Sequence, residues 1–429
     1  MNVLNTRPIR ALLAAQVISV TGAQMTWLAL PWFVLTTTGS ATRTSVVMGA
    51  EAVGLAAFGI QSGNLVNRLG ARRTMLLCDT LRAPTIAVVP ILHWTGALSF
   101  PVLIAAAAGI GVFSAPYFAA QKVIVPEILG EDERVVTKMQ TLSQSASRIT
   151  MLLGPVSAGV LIGLIGAPSV LMVDAATYLV AVGLVAGFVP TGRRAALPGE
   201  EQGSRAGIRF VLRDPLLRWW MLVFTIGDAA WMAIFLAVPV LTVQRYDSDP
   251  RVAGWLFASF GVGAIVGNIA AFRVLDRTDG LRLVGLGILG QALPLWLLVL
   301  ELPWPFVSAT LILSGLANGL VNPSIHAILT LRAPPALRAN VMAVVMTLFA
   351  LVTPIGFLGA GPLLDAFGLD LVFGLCAAIQ TVTMTGAAIT AFRARRATEP
   401  RPPAHSPSRR ERQSRPAGSR LPRRRRATR

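Results

Sequence analysis

The chain has 429 residues, 54% of them hydrophobic and only 14% charged, with a mean hydropathy of +0.64 and a formal net charge of +18. So few charges cannot cover the surface of a soluble protein, so much apolar bulk excludes a disordered chain, and two cysteines exclude a disulfide scaffold. A nucleic-acid binder would account for the charge but not for the apolar bulk, which leaves an integral membrane protein.

A spanning helix needs about 20 mainly apolar residues. Twelve such stretches follow one another: 9–36, 46–66, 73–94, 98–121, 139–165, 168–190, 215–243, 252–273, 280–300, 303–330, 337–362 and 366–392. The expected fold is all-α, with twelve transmembrane helices. The only long polar segment between spans is 191–214, with Arg193, Arg194, Glu200, Glu201, Arg205, Arg209, Arg213 and Asp214. It divides the chain into a six-helix bundle over 1–190, a linker over 191–214 and a second bundle over 215–392. A tail over 393–429 follows.

Cytoplasmic loops hold the excess of Lys and Arg. With the N-terminus inside, the inner loops hold 18 basic residues without the tail, and the outer loops hold three, Arg43, Arg245 and Arg251. Both termini are therefore expected in the cytoplasm of a multi-pass plasma-membrane protein. The first span is too long for a signal-peptide core and reads as a retained anchor. The tail carries fourteen arginines against Glu399 and Glu411, so most of the +18 resides there. Rich in Pro, Ser and Arg, it reads as a disordered cytoplasmic tail. Contact with anionic lipid headgroups is the sharper alternative. Lacking aromatics to stack on bases, it gives no reason to expect a nucleic-acid partner.

The two halves repeat. Gly63-Asn64 recurs as Gly267-Asn268 and Arg134 as Arg338, both at an offset of 204; Gly154, Gly159 and Gly166 recur as Gly356, Gly361 and Gly368, at an offset of 202. Six spans per half make the repeat parallel, about an axis along the membrane normal, an architecture that supports rocking about a central cavity.

Between the second and third spans stands Gly63-Asn64-Leu65-Val66-Asn67-Arg68-Leu69-Gly70-Ala71-Arg72-Arg73. It resembles the cytoplasmic loop signature of the major facilitator superfamily, with Asn67 where the family has Asp. The resemblance implies that the charge-relay contact made by that acid is weakened or rebuilt here. Gly154-Pro155-Val156-Ser157-Ala158-Gly159 is similar to the core of the exporters' antiporter motif, with Ala158 in place of a glycine and Thr150 in place of the upstream one. The basic residue of the fourth-span motif of many drug/proton antiporters has no counterpart around 109–121. The run 154–178 looks most like the enterobactin-exporter and macrolide-efflux branch.

Ionisable groups inside a membrane are costly and mark function by default. Glu51, Asp174, Asp228 and Arg148 are the proton-coupling candidates, with Glu51 and Asp228 the stronger carriers. For Asp174 an interhelix hydrogen bond near the outer rim is the alternative. Asp79 and Arg82, three apart on one helix face, read as a local ion pair near the cytoplasmic surface, with Arg82 alternatively reaching another helix, within the conformational motif set of Gly63, Asn67, Arg68, Gly70, Arg72 and Arg73. Gly154, Pro155 and Gly159 form a groove that serves close packing, a flexing gate, or both. Cavity candidates are Gln16, Gln24, Trp27, Tyr117, Asn318, Asn322 and His326; the last three, at i, i+4 and i+8, share one helix face. The superfamily resemblance implies that the first and tenth spans line the path.

No metal-ligand spacing, Walker A segment or nucleophile–base pair stands out, so neither a metal, another cofactor nor enzymatic activity is expected. The expected function is a monomeric, proton-coupled exporter of small amphiphilic molecules, of drug, macrolide or siderophore type. An uptake symporter on the same fold and a non-transporting membrane sensor or scaffold are the alternatives.

Overall fold

A computed structural model describes residues 6–129, 133–191, 204–275, 278, 280–334 and 337–398. Arg193, Arg194, Glu200, Glu201, Arg277 and the tail from Glu399 onward lie outside the described residues. The first six helices are α1 (Arg7–Thr38), α2 (Ala41–Leu69), α3 (Ala71–Trp94), α4 (Phe100–Leu129), α5 (Glu133–Ile165) and α6 (Ala167–Phe188). A short α7 (Ser204–Arg213) occupies the end of the linker, where the sequence reading placed only a polar segment. Its Val211 packs into a core with Leu216, Leu217 and Trp220, which fixes the entry to the second half. Then come α8 (Pro215–Arg245), α9 (Pro250–Leu275), α10 (Gly280–Ala292), a 3₁₀ turn over Leu293–Val299, α11 (Trp304–Arg332) and α12 (Arg338–Thr398).

Among the described residues nine helices are long and apolar enough to cross a membrane, or ten with the bent pair Ala41–Gly59 and Gln61–Leu69. Two further features are consistent with twelve crossings. Helix α10 is too short alone, but its 3₁₀ continuation from Leu293, with Pro294 at the start, extends the apolar element. Helix α12 runs 61 residues, too long for one span, and is broken at Gly368 (φ 78°). Its repeat partner Gly166 joins α5 to α6 at φ 80°. Both turns need a left-handed backbone that a Cβ disfavours, so the sequence repeat is also a conformational repeat.

The helices alternate in direction and put the loops on two sides. On one, here the terminal side, lie the α2–α3 turn, the end of α6, the linker and the α11–α12 turn. There Glu127 accepts from the Ala71 amide (3.1 Å) at the start of α3, and Arg72 donates to the carbonyls of Val189 (2.6 Å) and Ala186 (2.8 Å) at the end of α6. Asp214 caps α8 through the Leu216 amide (2.9 Å) and pairs with Arg332 (2.6 Å). On the far side Arg245 pairs with Asp370 and Glu301, and Tyr246 donates to Leu302 O (2.8 Å).

Helices α1 to α6 and α8 to α12 correspond to the two repeated halves of the sequence. The halves meet along α2 against α12 and α5 against α9, with smaller contacts of α1 on α8. Both seams are toward the far side, and the apolar cores there mix the halves: Leu35, Ala41, Met48 and Ala52 pack with residues of α8, α9 and α12. The two cores toward the terminal side do not mix. One is built from residues between Ile9 and Val189, the other from residues between Val211 and Ala391. The described molecule is therefore sealed on the far side and separated toward the terminal side.

Candidate functional site

The far-side seal is made from the repeated glycines. A Cβ at Gly159 on α5 would lie 2.5 Å from Pro250 O and 3.2 Å from the Cα of Gly254 on α9; one at Gly254 would lie 2.5 Å from Pro155 O. The repeat mate of Gly159 is Gly361, and it packs against Ser45 and the Ala41 carbonyl on α2 with no room for a methyl. The other pair behaves alike within each half: Gly154 packs on Gln24 of α1, Gly356 on Ala229 and Met232 of α8. Gly154 and Gly356 thus hold their own bundles together, while Gly159 and Gly361 join the halves.

Two further contacts close this side. Asp365 of α12 crosses to the N-terminus of α2, where it accepts from the Ser40 hydroxyl (2.8 Å) and the amides of Ala41 (2.9 Å) and Thr42 (2.9 Å). This is a helix cap supplied by the opposite half. Trp27 of α1 sits edge-on to Phe235 (5.5 Å) and Phe257 (5.8 Å) of α8 and α9. Trp27, a cavity-wall candidate, lies in this seal and also lines a small pocket between the halves with Met48, Phe235, Phe257 and Phe357.

In the second half a cavity of about 300 Å³ is lined by Asp228, Gln291, Asn318, Asn322 and His326 among Phe224, Trp231, Phe349, Met346 and Met384. The shared face of α11 does bring Asn318, Asn322 and His326 together, and α8 adds Asp228, the only carboxylate among the described lining residues. Asn318 donates to Gln291 (3.4 Å), and Gln380 fixes the α8 backbone by donating to Gly227 O (2.7 Å). Gln291 carried no signal in the sequence, because a lone glutamine on an apolar helix resembles any other buried amide.

The first half holds a different arrangement. Arg82 lies eleven residues from the start of α3 and twelve from its end, and Arg82 and Asp79 are each 2% exposed. Their expected place near the cytoplasmic surface is therefore corrected: the pair, 3.3 Å apart, is buried at mid-helix. The Arg82 guanidinium lies over the rings of Tyr117 (4.7 Å) and Tyr178 (5.2 Å) and donates to Ser114. Asp174, seven residues from the far-side end of α6, is fully buried and accepts from Thr177 (3.1 Å) and, as the expected interhelix hydrogen bond, from Thr26 of α1 (2.5 Å). Tyr117, expected on the cavity wall, is 1% exposed inside this cluster. Glu51 is half-buried on α2, with Arg82 and Asp174 as its charged neighbours.

The remaining candidates are scattered. Gln16 accepts from Ser143 (3.2 Å) and Gln24 packs on Gly154, so both face α5. Arg148 is exposed on α5, seven residues before Pro155, on the face that meets α9 further up. Arg68 lines a terminal-side cavity of about 310 Å³ with Gln61 and Asn64. Asn67 and Arg68 both have partners, Arg73 is exposed, and Gly70 turns the chain from α2 to α3 at φ 82°. Gly63 lies within α2. Among the described residues no group of His, Cys, Asp or Glu is arranged to hold a metal ion.

The chain matches the description Major Facilitator Superfamily over residues 12–249 and 244–428. It is 25% identical over 382 residues to the "Multidrug efflux pump Tap" of Mycolicibacterium fortuitum, covering 85% of this chain and 91% of that one. The protein of the same name from Mycobacterium tuberculosis (strain ATCC 25618 / H37Rv) is also 25% identical, covering 86% and 90%. Among solved structures, the fold matches the nucleoside transporter NupG with a TM-score of 0.73 at 11% identity, covering 89% of this chain and 99% of that one. A D-xylose-proton symporter matches with a TM-score of 0.68 at 15% identity, covering 89% and 96%. The family match across both halves, the helical fold and its relatives lead to one conclusion: the chain belongs to the Major Facilitator Superfamily and is a membrane transporter, not an enzyme.

Proposed function

We propose that the protein exports small amphiphilic molecules from the cytoplasm across the plasma membrane by alternating access, driven by inward proton flow. The observation that carries this reading is the combination of a far-side seal with a cavity in the second half. The cavity offers one carboxylate, Asp228, amide groups and a large aromatic and methionine surface. Such a wall holds varied apolar bodies and favours a positive charge on them. The name of the relatives, multidrug efflux pump, agrees with that chemistry. The terminal side is then the cytoplasm. The chain functions as a monomer of two bundles, 1–190 and 215–392, joined by the linker 191–214, and the basic tail 393–429 faces anionic lipid.

Two bundles that touch through methyl-free backbone contacts on one side can exchange that seam for another on the opposite side by a rigid-body rock. A proton returning down 100 mV contributes about 2.3 kcal/mol, enough for a modest uphill step. Inverted membrane vesicles containing the protein, with acid imposed inside, test the reading with a fluorescent amphiphilic monocation. Accumulation that collapses when the proton gradient is dissipated is expected. Movement out of the vesicles, or accumulation indifferent to the gradient, would overturn it.

A further inference from the structure

The buried cluster of the first half has more acid than base. Asp79, Asp174 and Glu51 share one cation, Arg82. The other titratable groups facing it are the phenols of Tyr117 and Tyr178 and the Cys78 thiol. Fully ionised, the buried Asp79 and Asp174 with the half-buried Glu51 beside them leave a double negative charge against the one guanidinium inside the bundle, which is costly. Protons on two carboxylates remove it. Three buried polar atoms make no hydrogen bond of good geometry: Arg82 Nε, and Ser19 Oγ and Tyr117 OH, although Ser19 lies close to both Asp79 and Tyr117 and Gln121 lies close to Tyr117. Ser19 and Tyr117 are each 1% exposed. Each has hydrogen-bonding capacity that a protonated or reoriented carboxyl can use.

The cluster also touches the far-side seal. Thr26 of α1 donates to Asp174 of α6 (2.5 Å), and the next residue, Trp27, is the ring packed on Phe235 and Phe257 of the second half. One turn earlier, Gly22 lies so close to Asp174 and Thr177 that no methyl fits. Helix α1 is therefore pressed against Asp174 on one face while its neighbouring residue holds the two halves together.

We propose that the Asp79–Arg82–Asp174–Glu51 cluster is the proton-binding site of the transport cycle, and that the Thr26–Trp27 step of α1 carries its charge state to the far-side seal. The proposal rests on the exporter reading above and divides its labour: protons bind in the first half, substrate binds beside Asp228 in the second. An ionised Asp174 holds Thr26 by a charge-assisted bond and keeps Trp27 seated. A proton taken up by Asp174 from the far side weakens that bond and holds the seal open; re-sealing restores the bond and expels the proton toward the terminal side, a two-state element that both sites bias.

Two measurements on the full chain in lipid nanodiscs test this without substrate or gradient, so their failure is separate from failure of the exporter reading. Infrared difference spectra between alkaline and acidic media report protonated buried carboxyls. The spectra should lose intensity in Asp174→Asn and Asp79→Asn. Asp79→Asn leaves Arg82 without its ion pair; should it not fold, Asp174→Asn carries the test. Spin labels on Ala97→Cys and Phe367→Cys, exposed far-side positions in opposite halves, report opening. The native cysteines, Cys78 and Cys376, are buried. Acid should lengthen this distance. Thr26→Val should keep the infrared signal but cut the acid-driven change in the open population by about tenfold, the worth of one hydrogen bond to a charged group. An infrared signal unchanged in Asp174→Asn would overturn the site. Unchanged acid-driven opening in Thr26→Val would overturn the route.

Discussion

Replacing Gly159 or Gly254 with alanine inserts a methyl between two backbones that already touch. A Cβ at Gly159 would lie 2.5 Å from Pro250 O and 3.2 Å from the Cα atoms of Arg251 and Gly254. Carbon and oxygen at ordinary contact need about 3.5 Å, and neither neighbour is a flexible side-chain end. Helices α5 and α9 must then separate by roughly 1 Å along the seam. Overpacking of this kind costs about 1–3 kcal/mol. Placed on a seam that exists only in the far-side-closed state, the cost lowers the closed-to-open ratio about 5- to 150-fold. Gly183→Ala is the control, since nothing lies within 4 Å of a Cβ there. The assay is the distance distribution between labels on Ala97→Cys and Phe367→Cys. Both seam variants should gain a long-distance population and the control should not. Gly159→Ala and Gly254→Ala distributions matching that of Gly183→Ala would refute the reasoning.

Three other changes have defined outcomes. Asp228→Asn removes the only carboxylate among the described residues lining the 300 Å³ cavity. It should raise the KM for an amphiphilic monocation about 10- to 100-fold, the worth of a charged contact, and leave the KM for a neutral amphiphile of similar size within about twofold. Asp365→Asn weakens the cap that α12 supplies to α2; at about 1 kcal/mol for such a cap, the far-side-open population should rise about fivefold, read with the same label pair. Arg72→Ala removes two hydrogen bonds to the end of α6 on the terminal side. It should cost about 1 kcal/mol of stability, read as a lowered Tm in detergent, while the far-side distance stays unchanged.

Much of the fold was legible because the membrane imposes one strong rule, about 20 apolar residues per crossing. Hydropathy therefore located the crossings through α9, and the positive-φ pair Gly166 and Gly368 bears out the repeat. It did not show that the ninth crossing ends as a 3₁₀ turn, since Pro294 in an apolar run is compatible with a kink or an end. In the site, Asn318, Asn322 and His326 were legible as one helix face, and Asp228 joined them only because α8, packed on α12, faces the same cavity. Asp79 and Arg82 were misplaced in depth: their three-residue spacing fixes a shared face but not where the membrane midplane falls. That they meet Asp174 is a fact of α3 packing on α6, which no local spacing encodes. Trp27 and Tyr117 show the same limit. An aromatic on a span is equally at home in a cavity, a seal or a buried cluster, and only the neighbouring helices decide.

The central claim is a cavity beside Asp228 that opens to the cytoplasm while the far side is sealed. Ile325 lines that cavity and Cys78 and Cys376 are buried, so Ile325→Cys supplies a single reactive thiol. Its labelling by a membrane-impermeant thiol reagent, compared in inverted and right-side-out vesicles without substrate, is the most direct measurement. Rapid labelling in inverted vesicles and protection in right-side-out vesicles is the predicted result. Equal labelling in both, or labelling from the far side alone, would contradict the account.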